Sequence, residues 1–192
     1  MKKILLVLLA FVSTFVCPVY AAETVVILRH GEKPAAGLGQ LSCQGLQRSL
    51  MLPEMLINRF GSLDVFYAPN PGLPKMDYGH PYFYLRPLAT LEPTAILSKK
   101  PVNLSYGFTE TTGLAYDLSE MAASQQVVVV AWEHKKIPEI VEKVFYLNRQ
   151  TPPHLPEWSD HDFDSLWVLE FQDGQWVLSQ EFEHIIPSPD CF

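Results

Sequence analysis

Val25-Val26-Ile27-Leu28-Arg29-His30-Gly31-Glu32-Lys33-Pro34 is the stretch from which this chain is read. Thr24 to Leu28 is a short, β-rich apolar run, which predicts a buried strand, and Gly31 permits a tight turn just beyond it. Arg29 and His30 therefore stand at the C-terminal end of the first strand. A histidine held there beside a cation is a candidate for chemistry on an anionic group.

Outward from this strand the pattern alternates. Ser42 can cap a helix over Gln44 to Phe60, with Leu46, Leu50, Leu56 and Ile57 near helical spacing and Pro53 expected to kink it. A second strand spans Asp64 to Tyr67, and the prolines and glycines of Asn70 to Pro81 predict an irregular surface loop. A helix follows over Arg86 to Leu97, with Pro87 in its first turn and Pro93 bending or dividing it. Pro101 to Tyr106 reads as a short strand, Thr111 to Ala123 as a helix, and Val127 to Trp132 as a central strand. After a helix over Ile137 to Leu147, Leu166 to Phe171 and Gln175 to Ser179 flank Gln172-Asp173-Gly174 as a β-hairpin. Strands alternating with helices predict an α/β domain around a mostly parallel sheet, whose reactive groups sit beyond the C-terminal strand ends.

Lys2 and Lys3 precede an apolar run from Ile4 to Val16, and Val19-Tyr20-Ala21 offers a small-residue cleavage site. Residues 1–21 thus read as a signal peptide and 22–192 as one domain, periplasmic or secreted. Val16 before Cys17 argues against a lipidation site. No later stretch is apolar enough to span a bilayer, so no stable membrane insertion is expected after cleavage. The sequence has 14 Lys and Arg against 21 Asp and Glu, and loss of the leader lysines makes the remainder more acidic still. That balance disfavours nucleic acid but allows a small anionic substrate held by local arginines. Cys43 and Cys191 form an even pair, which in an oxidising compartment reads either as a disulfide or as two separate thiols.

Arg29-His30-Gly31-Glu32 resembles the RHG-E signature of the histidine phosphatase superfamily, which includes phosphoglycerate mutases and many phosphatases. Leu41-Ser42-Cys43-Gln44-Gly45 matches the L-[ST]-x-x-G that usually follows, and Arg86-Pro87-Leu88-Ala89-Thr90 lies close to R-[AT]-x-x-T. Trp132-Glu133-His134 occupies the place of the second histidine. The departures are an inserted loop between Ala68-Pro69-Asn70-Pro71 and Arg86, and Glu133 and Lys135 where relatives flank the histidine with small residues.

The resemblance implies a three-layer α/β/α sandwich of phosphoglycerate mutase type. It also implies phosphomonoester hydrolysis through phospho-His30, with Arg29, Arg86 and His134 on the phosphate and no metal or organic cofactor. The chemistry fits these residue types. A neutral imidazole attacks phosphorus when its other nitrogen is held, and arginine forks match phosphoryl oxygens. For the acid, Glu110 is the first candidate and Glu133 the alternative, while some relatives dispense with a carboxyl group.

Asn70 could reach the phosphate, although an Asx turn before Pro71 is the stronger reading. Lys33 either lines the pocket mouth or is solvated, and Thr90 serves its helix. Tyr78, Tyr82, Phe83 and Tyr84 are expected in packing or a loop lid, including one that selects an apolar leaving group. Ser159-Asp160-His161-Asp162 lacks the spacing of a metal site. The competing functions are a phosphomutase or phosphotransferase of the same fold, and a non-catalytic phosphate-ligand or protein-binding module. No G-x-S-x-G elbow supports a serine hydrolase. The physiological substrate and the oligomeric state stay open.

Overall fold

The computed structural model describes residues 23–122 and 124–191. The leader, Cys17 and the cleavage site lie outside the described residues, and the helix predicted to reach Ala123 ends at Glu120, with Met121 and Ala122 in a turn. Eight strands and four helices alternate along the described chain. They are β1 (Glu23–Arg29), α1 (Cys43–Phe60), β2 (Val65–Tyr67), β3 (Pro74–Asp77), β4 (His80–Phe83), α2 (Arg86–Leu97), β5 (Val102–Asn103), α3 (Thr111–Glu120), β6 (Val127–Trp132), α4 (Ile137–Leu147), β7 (Ser165–Gln172) and β8 (Gln175–Phe182).

The main sheet has the order β5-β2-β6-β1-β7-β8. Its first four strands are parallel, and β7 and β8 close one side antiparallel. Because successive side chains on a strand face opposite ways, β1 and β6 feed two cores. Val25, Ile27, Val128 and Val130 pack with Leu114, Leu118, Ile140 and Val141 of α3 and α4. Val26, Leu28, Val129 and Ala131 pack with Leu52, Leu56, Leu91 and Ala95 of α1 and α2. The architecture is the expected α/β/α sandwich around a mostly parallel sheet.

Ser42 caps α1 by accepting a hydrogen bond from Gly45 N, and the helix runs on through Pro53. Helix α2 likewise continues through Pro93, so tertiary packing of their apolar faces outweighs the proline cost in both. The Asp173-Gly174 turn between β7 and β8 has positive φ at both residues, as a type I′ hairpin turn requires.

The segment expected to be an irregular loop differs. It holds a separate two-stranded ribbon, β3-β4, turning at Tyr78-Gly79 with positive φ at both positions. Pro74 and Pro81 read as breakers, but a two-stranded ribbon leaves outward-facing N–H positions where proline loses no ladder bond.

Cys43 at the start of α1 is disulfide-bonded to Cys191, 148 residues away, which pins the C-terminal segment beside α1. Replacing both cysteines with serine should cost about 2–5 kcal/mol in urea unfolding, chiefly by freeing the unfolded chain.

Candidate active site

Parallel pairing in register sets Arg29 opposite Trp132, so the ends of β1 and β6 deliver His30 and His134 to the same edge of the sheet. His30 N donates to Trp132 O (3.1 Å), which carries the pairing one residue past the strand. Gly31 N then donates to Thr90 Oγ1 (2.8 Å), and Thr90 donates to Arg86 O (2.8 Å). Thr90 thus serves its helix, as expected, and also ties the turn after β1 to the first turn of α2. A Cβ on Gly31 would lie 3.0 Å from Gly45 O, and one on Gly45 would strike the Glu32 backbone. The two glycines let α1 start directly against the histidine turn.

Arg29, His30, Arg86 and His134 line one cleft of about 550 Å³ and are 3, 3, 3 and 6% exposed. His30 Nδ1 lies 2.8 Å from Gly31 O. A carbonyl can only accept, so this bond assigns the proton to Nδ1 and leaves Nε2 with its lone pair. Burial holds the His30 pKa well below 6.5 against the opposing Gly31 bond, and the Arg86 and Arg29 charges add to the lowering. The imidazole is therefore neutral at physiological pH.

Each of the three groups around His30 is anchored by a segment other than its own. Arg29 Nη1 donates to the carbonyls of Ser159 (3.2 Å), Asp160 (2.8 Å) and Asp162 (2.9 Å). Its guanidinium lies 3.8 Å from the centre of the Phe163 ring. Arg86 Nη1 donates to Asp77 Oδ2 (2.6 Å) on the β3-β4 ribbon. Burial raises the Asp77 pKa, but the Arg86 hydrogen bond and charge carry it below the ordinary carboxylate value. His134 Nε2 lies 2.6 Å from Asp160 Oδ1. Among the described residues, Arg29 Nε, Arg86 Nε and His134 Nδ1 are buried with no hydrogen-bond partner. These residues meet at the cleft with an unused nitrogen each, a pattern that suits a multiply charged anion.

The two candidate acids part company. Glu133 lines the cleft and pairs with Lys75 Nζ (2.8 Å). Glu110, ranked first from sequence, is exposed on the turn before α3, where its Oε2 accepts from Gly107 N (2.6 Å), and it is not among the cleft-lining residues. Local hydrogen bonding to its own turn holds it there. Asn70 makes the Asx turn, accepting from Gly72 N (2.7 Å), and is exposed outside the cleft.

Lys33 lies at the cleft, 3.9 Å from Asp77. Of the aromatic cluster, Tyr84 is buried edge-on to His30, while Tyr78 and Phe83 are exposed on the ribbon. Among the described residues no group of three or more potential metal ligands is present. Residues 159–162 instead hold Arg29 and His134.

Asp77, Asp160 and Phe163 were not singled out by sequence reasoning. Asp160 stood inside a conspicuous polar run, and Asp77 inside the segment read as irregular. Neither carried a local signal of its partner.

Behind the site, Arg48 grips Glu32 with two nitrogens, Nε (3.0 and 3.1 Å) and Nη2 (2.8 Å), and donates through Nη1 to buried Glu183 Oε2 (2.5 Å). This fixes the residue following Gly31. Burial pushes the Glu183 carboxyl up to about 8 over the opposing pull of Arg48. The folded protein therefore holds a proton there that the unfolded chain releases near 4.5, so stability should fall as pH rises from 4.5 to about 8. Glu183→Gln should flatten that slope in urea unfolding measured across the same range.

No protein-family model and no curated protein matches the chain at the sequence level. Solved structures do resemble it. A phosphoserine phosphatase from Entamoeba histolytica, in complex with phosphoserine, is similar at a TM-score of 0.54 and 14% identity, over 84% of this chain and 97% of that one. Two structures described as the phosphohistidine phosphatase SixA are similar at TM-scores of 0.50. The one from Nakamurella multipartitia is 18% identical over 83% of this chain and 94% of its own. The one from Agrobacterium tumefaciens is 15% identical over 86% and 99%. At these identities the likeness establishes the fold alone, the α/β fold that this chain shares with those structures.

Proposed function

We propose that this chain is an exported phosphatase that hydrolyses phosphomonoesters through a phosphohistidine at His30. One observation carries the reading. His30 is buried and neutral with Nδ1 committed to Gly31 O, and it shares its cleft with Arg29, Arg86 and His134, each keeping a buried nitrogen without a partner among the described residues. In this reading Nε2 attacks phosphorus while the arginines bind the oxygens over which charge spreads. His134 binds the same group. Water then cleaves the phosphohistidine.

The cleft also suits an anion on a protein of formal charge −7. Arg29, Lys33, Lys75, Arg86 and Lys135 line it against Asp77, Glu133 and Asp160, giving a local excess of positive charge. The mouth includes Met76 and Tyr78 of the ribbon, which leaves room for an organic leaving group. Export is supported by the leader pattern of residues 1–21 and by the Cys43–Cys191 bond, since disulfides persist outside the cytoplasm.

Hydrolysis of p-nitrophenyl phosphate in EDTA tests the activity directly. Wild type should turn over and His30→Ala should not; activity that survives His30→Ala would remove the phosphohistidine, and absence from both would favour a binding module. Arg86→Ala should lower kcat/KM by about 10²- to 10³-fold, the usual effect of losing one preorganised donor.

The pH dependence has a definite sign. The nucleophile works as neutral imidazole, so activity is lost as pH falls through the His30 pKa, which lies well below 6.5. The acid limb of kcat/KM attributable to the nucleophile should therefore fall well below pH 6.5. A limb centred at 6.5 would contradict this assignment of the protonation state.

A further inference from the structure

His134 is held from one side only. Its Nε2 meets Asp160 Oδ1 at 2.6 Å, and its Nδ1 is buried with no partner among the described residues. The charged and titratable groups that act on it or on its carboxylate are Arg29, His30, Glu133, Asp160 and Lys135, with Lys135 Nζ 3.4 Å from the same Asp160 oxygen. The carboxylates expected to act as acid are both otherwise engaged. Glu110 is bonded to Gly107 N away from the cleft, and Glu133 is paired with Lys75.

A departing alkoxide still needs a proton. We propose that His134 supplies it, with Asp160 as the residue that positions and charges the imidazole; this assignment rests on the phosphatase reading above. A carboxylate at Nε2 and a phosphate dianion near Nδ1 both favour the imidazolium, offsetting the desolvation and the Arg29 charge that disfavour it in the free protein. Asp160 Oδ1 accepts the Nε2 proton and so keeps Nδ1–H as the proton that can be given.

The step balances. His30 Nε2 forms a bond to phosphorus as the bond from phosphorus to the alcohol oxygen breaks, and that oxygen keeps the electron pair and takes the proton from His134 Nδ1. In the second half, neutral His134 accepts a proton from the water that attacks phosphorus, and the bond to His30 breaks. Phosphate leaves and both imidazoles are restored. Asp160 contacts no reacting atom, so it is a positioning residue.

Leaving-group dependence separates proton donation from phosphate binding, because p-nitrophenolate departs unprotonated and butoxide does not. The experiment compares kcat/KM on n-butyl phosphate and p-nitrophenyl phosphate for wild type, Asp160→Asn, Asp160→Glu and Glu133→Gln. The butyl-to-nitrophenyl ratio should fall about 10- to 100-fold in Asp160→Asn, part of the range general acids contribute, and recover in part in Asp160→Glu.

Equal losses on both esters in Asp160→Asn would make His134 a phosphate ligand alone and overturn the proposal. A selective loss in Glu133→Gln without one in Asp160→Asn would make Glu133 the acid and overturn it too. Wild-type failure on both esters would be a different result, removing the phosphatase reading and this assignment with it. The Asp160 side chain is largely exposed and its carbonyl, not its carboxylate, holds Arg29, so these variants leave the fold's anchors in place.

Discussion

The parallel pairing of β1 with β6 is the constraint on which the rest of the site depends. With Arg29 opposite Trp132, two chain segments about a hundred residues apart end at the same level, and the histidines that follow them emerge side by side. A slip of one residue would turn every side chain of β1 to the opposite face. Such a slip is opposed on both faces. Val25 and Ile27 are buried against α3 and α4, Val26 and Leu28 against α1 and α2, so no half of the strand can tolerate exchange. Core packing thereby holds the geometry of His30.

Around that fixed edge, the cleft is built by anchoring. Arginine and histidine side chains are long or rotatable, and a cation that must find its place on binding loses entropy in doing so. Here three carbonyls hold Arg29, Asp77 holds Arg86 and Asp160 sits against His134, each at one end of the group. The donors are preorganised before any ligand arrives, which is how fixed dipoles contribute most to charge stabilisation. The anchors come from the β3-β4 ribbon and from residues 159–162, so the segment read as an irregular loop and the polar run at 159–162 are both structural parts of the site.

A second layer supports the turn after His30. Arg48 holds Glu32, Glu183 holds Arg48, and the Cys43–Cys191 bond fixes the chain that follows Glu183 beside the start of α1. The C-terminal segment therefore buttresses the turn after His30 from behind. Its buried carboxyl is tolerated as a hydrogen-bonding group next to a guanidinium, where an unpaired charge would be costly.

The strand and helix pattern was legible because each element carries its own periodicity. Val127–Trp132, Arg86–Leu97 and Ile137–Leu147 have the predicted bounds, and Arg29, His30, Arg86 and His134 stand at element ends that composition alone marks. Those placements follow from local propensity and burial, which neighbouring residues encode. What tertiary structure alone decided lies between segments. The ribbon was hidden because its prolines are harmful only where a partner strand needs their N–H. Glu110 is turned away by a bond to its own loop, a choice of rotamer that spacing does not record. Asp77 and Asp160 gained their partners because folding brought them to Arg86 and His134, and with His134 Nε2 held by Asp160, Nδ1 is the nitrogen left free.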